Sequence, residues 1–321
     1  MTQRQPFEQR WRKLGRVLPR GATSGWDERP SGPCLVRSAD RYLMYLHFEE
    51  FHDHRNKLRR IGLAAAPLDD PMTWSYVGEQ PLLDLDPPGP LDSHMLTYPW
   101  IVPIDASHWH MYYAAWDGSF LPKAPEQKRY ITCLAESDDG GISWSRVDRE
   151  LLQLGRPDAV DHHGSGSCAV IPVGDELWMY YTALLIPNPQ WHRIFTALAV
   201  SRDGGHTFTP HPAGALVNVP PRIGGWGSTA SKPFVRWVGD RYDMWFSCAE
   251  DGIHYRIHYA RSADGVHFEW HPLPVVDVSD TGWDSEMTCY PFVIEHEGRT
   301  LMFYAGNDYA GIGVAELAQP G

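Results

Sequence analysis

Short apolar runs, each broken by clusters of Gly, Asn and Asp, recur along the whole chain, and residues 283–315 show the unit most plainly. There the pattern predicts three strands, over 288–294, 300–304 and 311–315. His-Glu-Gly-Arg forms the first turn and Gly306-Asn307-Asp308 opens the second. Four more copies precede it. The second strand of each copy carries a Met, at Met44, Met111, Met179, Met244 and Met302, with gaps of 67, 68, 65 and 58 residues. Eleven or twelve residues earlier stands the residue that opens the first strand: Pro33, Pro99, Cys168, Pro233 and Pro291.

The third strand runs into a turn that recurs as SDDGGISW, SRDGGHTF and SADGVHF, with LDDPMTW as a degenerate first copy. A fourth strand follows each closing aromatic. Such a unit cannot bury both of its faces alone, so the pattern predicts an all-β, five-bladed propeller of four-stranded antiparallel blades, one domain over residues 1–321. The last copy lacks its outer strand. QRWRKLGRVLP, at 9–19, reads as a fourth strand with no third before it, and is expected to complete that blade and cover its edge.

Composition adds to this without altering it. A hydrophobic content of 43%, with 14 Trp and 15 Tyr, suits blade-to-blade packing. The net charge of −12 argues against nucleic acid and anionic membrane as partners. No apolar run is long enough to span a bilayer and the first residues have no signal-peptide core. The five cysteines fall inside strand patterns without metal-ligand spacing and read as reduced thiols. The expected location is cytoplasmic.

A meander sorts loops between two faces. The segments leading into each blade share one face with the second-to-third-strand loops, and the DGG turns lie on the other, where Asp and Ser bond turn backbone. The leading segments read WDERPSGP, LDSHMLTYP, VDHHGSGSC, WGSTASKP and WDSEMTCYP. An Asp recurs in four of them (Asp27, Asp92, Asp161, Asp284), which suits a scaffold role. Two positions on, the slot varies as His94, His163 and Glu286, with Glu28-Arg29 and Ser228-Thr229 in the shorter copies. Those three are expected to converge on the axis. The loop residues His47, Glu49, Trp116, Asp117, Glu250 and Asn307, with His162, Lys232 and Asp284 from the leading segments, complete a set suited to a polyhydroxylated ligand. Such a ligand needs stacking faces and directional hydrogen bonds.

Five blades, WDS…P leading segments, MYY-type strands and SxDGxxW turns resemble the five-bladed propeller glycosidases, from Trp11 to Ala315. These include the arabinanase and xylosidase group, the invertase and levansucrase group, and mannoside phosphorylases. The resemblance implies a glycoside or sugar-like substrate in an axial cavity and a pair of carboxylates flanking the scissile bond. It places one as an Asp directly before the opener of blade one and the other as a Glu two residues before the opener of blade three. This chain has Gly32 and Gly166 there.

The expected function is therefore a carbohydrate-active, hydrolase-like enzyme with displaced groups. Glu286, His163 and His94 would carry acid–base chemistry, with Asp27 or Glu28 as the spare carboxylate. The alternative is a propeller recruited to a non-hydrolytic reaction, elimination or cyclisation, or to sugar binding alone. No cofactor is expected, although His94, His163 and Glu286 are a donor set that could hold a divalent metal.

Overall fold

A computed structural model describes residues 9–21, 26–51, 57–85, 92–116, 130–149, 151–154, 158–188, 191–217, 219, 229–249 and 254–318. It is a five-bladed propeller. The chain starts with β1 (Trp11–Pro19). Blade one is β2 (Arg29–Arg37), β3 (Arg41–Phe51), β4 (Lys57–Pro67) and β5 (Ser75–Val77). Blade two is β6 (Met95–Pro103), β7 (Trp109–Trp116), β8 (Ile131–Ser137) and β9 (Ser145–Val147). Blade three is β10 (Gly164–Val173), β11 (Glu176–Asn188), β12 (Trp191–Ser201) and β13 (Thr209–Pro210). Blade four is β14 (Thr229–Trp237), β15 (Tyr242–Ala249), β16 (Arg256–Ser262) and β17 (Glu269–Trp270). Blade five is β18 (Cys289–His296), β19 (Arg299–Ala305) and β20 (Gly311–Leu317).

The first strand closes the last blade, as its pattern predicts. β1 pairs antiparallel with β20 from Trp11 opposite Leu317 to Pro19 opposite Gly311, giving the order β1-β20-β19-β18. Each β20 edge group thus finds a partner from the other end of the chain.

Second strands lie between the faces of neighbouring blades, which explains their unbroken apolar runs. Every residue of β7 and β15 is buried, and the five repeat methionines are all fully buried. Burying each such side chain contributes about 1.5–3 kcal/mol. The lower-face turns then pin blades to one another. Tyr45, Tyr112 and Tyr180 donate their hydroxyls to the carbonyls of Gly141, Gly205 and Gly265 in the following blade's turn, at 3.1, 3.1 and 3.0 Å. Within the turns, Asp139 accepts from the backbone of Ile142 and Ser143 and from the Ser143 hydroxyl, and Asp203 and Asp264 do the equivalent. These bonds hold the Asp139 pKa down to about 2, the Ser143 hydroxyl contributing most.

Candidate functional site on the axis

All five inner strands carry a bulge at the same place, between Ser31 and Cys34, Thr97 and Trp100, Ser165 and Cys168, Ser231 and Phe234, and Cys289 and Phe292. The residue before the opener sits inside each bulge. Gly32, Tyr98, Lys232 and Tyr290 adopt φ of +63, +55, +48 and +58°. A left-handed backbone is ordinary for glycine but costs about 1–3 kcal/mol for a bulky side chain, and such strain concentrates where a protein aims groups at a ligand. The fifth member of the set is Ser167.

The bulge regions of blades two to five bound a cavity of about 170 Å³ on the axis. Its polar wall consists of hydroxyls: Tyr98, Tyr130, Tyr255, Tyr290, Ser167 and Thr182, with Ser231 beside them. Below it, Trp100, Phe234 and Phe292 pack with ring centroids 4.8–5.8 Å apart and plug the channel. The cavity is therefore served from the upper face.

A chain of phenols leads out of it. Tyr98 donates to the Tyr290 hydroxyl at 3.1 Å, Tyr290 meets Tyr309 at 3.4 Å, and Arg59 reaches Tyr309 at 3.5 Å. Burial raises the Tyr98 and Tyr290 pKa well above the ordinary value. Burial pushes Tyr309 up to about 12, with Arg59 opposing the rise. The Arg59 guanidinium gives two bonds, 2.8 and 2.6 Å, to one oxygen of buried Glu49, and Arg29 approaches the other oxygen at 3.6 Å. Burial opposes the Arg59 charge, yet Tyr309 and Glu49 keep its pKa well above the usual value.

Two buried bases flank this network. His47 is fully buried, takes a 3.4 Å bond from the Tyr98 backbone N–H on Nδ1, and has no partner for Nε2 among the described residues. Burial holds its pKa well below the ordinary one, and Arg59 and Lys232 push the same way. A Cβ on Gly32 would come within 2.9 Å of His47 Nδ1 and of the Tyr98 ring. The slot in which the resemblance expects a catalytic Asp is thus filled by the His47 imidazole. Lys232 is 1% exposed, its ammonium lies 5.6 Å from the centre of the Trp100 ring, and its Nζ has no hydrogen-bond partner among the described residues. Burial lowers its pKa, with the Cys34 and Cys168 thiols opposing.

The residues singled out by sequence fall in several places. His94, His163 and Glu286 were expected to share one cavity, and none of them stands in the wall of the axial one. His94 sits against Trp116, which stacks on Tyr130. His163 packs edge-on against His162 at 4.5 Å, and its backbone N–H is bonded to Leu184. Glu286 is exposed in an open groove on the upper rim with Arg16, Arg20, Trp283 and Asp308. The reason is local: Asn307 accepts from the Glu286 and Met287 backbone, which holds that leading loop outward.

The recurring Asp serves the scaffold in three blades. Asp161 and Asp284 accept from Tyr181 and Tyr304 at 2.7 and 2.9 Å, Lys13 also reaches Asp284, and Arg146 reaches Asp92. Asp27 is half-buried, Glu28 touches Arg29, and Arg29 bonds Asp308 at 2.7 Å. Asp117, Ser228 and Glu250 lie outside the described residues. Sequence reasoning missed Arg59 and the wall formed by Tyr98, Tyr130, Tyr255 and Tyr290. The slot before each opener, read for what it holds instead of for a missing carboxylate, was the available signal.

No protein-family model matches the chain. The uncharacterized proteins Rv1502 and MT1551 of Mycobacterium tuberculosis are each 41% identical over 95 residues, which is 28% of this chain and 30% of theirs. The chain thus matches under a third of the length of these curated relatives. Solved structures match throughout. A glycoside hydrolase gives a TM-score of 0.75 at 18% identity, covering 97% of this chain and 93% of its own. A family 117 glycoside hydrolase from the marine bacterium Zobellia galactanivorans gives 0.68 at 14%, covering 96% and 90%. A structure from the GH130 family of mannoside phosphorylases gives 0.68 at 12%, covering 97% and 96%. At these identities the likeness is one of fold.

Proposed function

We propose, from a fold shared with glycoside hydrolases and mannoside phosphorylases, that the protein is a carbohydrate-active enzyme taking one sugar ring, or a sugar-like small molecule, in its axial cavity. One observation carries this reading: a cavity closed below and walled by hydroxyls, two of which, Tyr98 and Tyr290, stand on strained bulges of the inner strands. Hydroxyls that both donate and accept suit a polyol, and aromatic faces suit its C–H surface. At about 170 Å³ the space falls below the 300–1,000 Å³ or so of larger ligand sites, so it fits one ring and not an extended chain.

Isothermal titration with a panel of mono- and disaccharides tests this. At least one should bind, and Tyr290→Phe and Tyr255→Phe should each weaken it about tenfold, the 1–1.5 kcal/mol of one buried hydrogen bond, at nearly constant melting temperature. Failure of every sugar, or binding indifferent to both variants, overturns the reading.

A second reading concerns the reaction. Gly32 and Gly166 stand where the resemblance places a glycosidase dyad, and no opener is directly preceded by a carboxylate, whereas the Tyr98–Tyr290–Tyr309 relay ends on Arg59. Burial keeps these phenols protonated, so they donate to a departing oxygen while His47, whose ring packs against Tyr98 and Tyr309, takes the substrate proton; that pairing favours elimination over hydrolysis. An unsaturated product absorbing in the ultraviolet, lost in Tyr309→Phe, would mark it. Release of a saturated reducing sugar without that absorbance would return the reaction to hydrolysis.

A further inference from the structure

Away from the axis, the lower-face contact between blades two and three differs from its repeats. Three equivalent interfaces share the Tyr-to-Gly bond that joins a second strand to the next blade's turn. Around it stand three slots: the residue two before the Tyr, its cross-strand partner on the third strand, and the residue after the Gly. Between blades one and two these are Leu43, Ala65 and Ile142, and between three and four Trp178, Val200 and Val266. Between two and three they are His110, Glu136 and His206.

The three ligand atoms lie within 4.8 Å of one another. Glu136 Oε1 is 3.4 Å from His206 Nδ1 and 3.8 Å from His110 Nε2. The network also sets the His110 tautomer. Tyr112 donates its one hydroxyl proton to the Gly205 carbonyl at 3.1 Å, so its 3.2 Å contact with His110 Nδ1 requires the imidazole to donate. His110 Nε2 is then left bare and faces Glu136 and His206. A second imidazole nitrogen fixed by an outer hydrogen bond is the arrangement that prepares a histidine for a metal. His206 is held by its own turn, since its backbone N–H bonds Asp203 at 3.1 Å.

We infer that His110, Glu136 and His206 form a site for a divalent transition ion of the zinc class, with solvent completing the coordination. Two imidazoles and a carboxylate suit zinc, cobalt or nickel and not calcium. His110, 9% exposed at its side chain, is the fixed ligand, and the other two, each 40% exposed, can close the remaining ångström by rotation. The ion would staple blade two to blade three where the other two interfaces carry apolar side chains at the same slots.

The test uses the full chain without a histidine tag, stripped with chelator and titrated with Zn²⁺ and with Co²⁺ as a spectroscopic probe. One equivalent should bind, with a Co²⁺ visible spectrum typical of nitrogen and oxygen ligands and a raised melting temperature. His206→Val, which installs the residue of the next interface, and Glu136→Gln should each weaken binding at least about tenfold. Tyr112→Phe, which keeps all three ligands but releases the His110 tautomer, should weaken it by about 10–100-fold. Absence of one-to-one binding to the wild type, or binding unchanged in the Glu136→Gln/His206→Val double variant, overturns the site.

Discussion

The lower-face turns and the axial bulges are two sets of repeats with opposite habits. In the turns, Ser and Asp recur and make the same bonds in blades two, three and four. At the bulges the backbone distortion recurs while the side chain changes from Gly32 to Tyr98, Ser167, Lys232 and Tyr290. Uniform side chains on uniform backbone mark a joint. Divergent side chains on a shared bulge, strained at Tyr98, Lys232 and Tyr290, mark a place given to what the chain presents and not to how it folds.

That division can be broken most forcefully at Arg59, an upper-face residue whose partner Glu49 is buried. Arg59→Met should cost about 3–5 kcal/mol by leaving buried Glu49 with only the longer approaches of Arg29 and Lys57, measured by urea unfolding. A loss under 1 kcal/mol would mean that the pair is kept for ligand and not for fold.

Lys232 should behave oppositely. Lys232→Met removes a buried amine that has no hydrogen-bond partner among the described residues and should gain about 1–3 kcal/mol while sugar binding or turnover falls. The pH dependence has a definite sign. The folded states of Lys232 and His47 hold protons less readily than the unfolded chain, so each group's stability is full above its ordinary pKa, 10.5 or 6.5, and is lost as pH falls towards the lowered folded value. The Lys232→Met gain should thus shrink as pH rises towards 10.5, and His47→Gln should flatten the decline that begins near pH 6.5. A gain independent of pH would sink this account of the lysine.

Asp203→Ala sharpens the other side of the division. It should destabilise by about 1–2 kcal/mol through lost turn bonds and leave axial affinity untouched. The smallest effect belongs to Glu286→Gln, whose exposed position on the rim groove predicts turnover within about twofold of wild type. A fall of a hundredfold would restore that residue to the mechanism.

The fold was legible because Met slots, openers and DGG turns repeat at near-constant spacing, and a repeat needs no knowledge of tertiary contacts. Even the closing strand could be read, from a fourth-strand pattern at 9–19 with no third strand before it. The site was harder. Where Glu286 points depends on Asn307 bonding the backbone before it, and no spacing encodes that. Arg59 sits in a third strand that reads as ordinary edge charge until Glu49 is placed opposite it in the register. The tyrosines before Pro99 and Pro291 were visible, yet only the left-handed backbone turns them onto the axis.

The pairing of β1 with β20 also bears on how the molecule is made. Trp11 must find Leu317, more than 300 residues later in the chain. At a synthesis rate of about 5–20 residues per second, β1 waits roughly 15–60 s for its partner. Throughout that interval β1 offers an unpaired backbone edge, and blades one to four can form around an unsealed ring. β20 is therefore the latch, and a chaperone that shields β1 until β20 has been made would act on an exposed step of assembly.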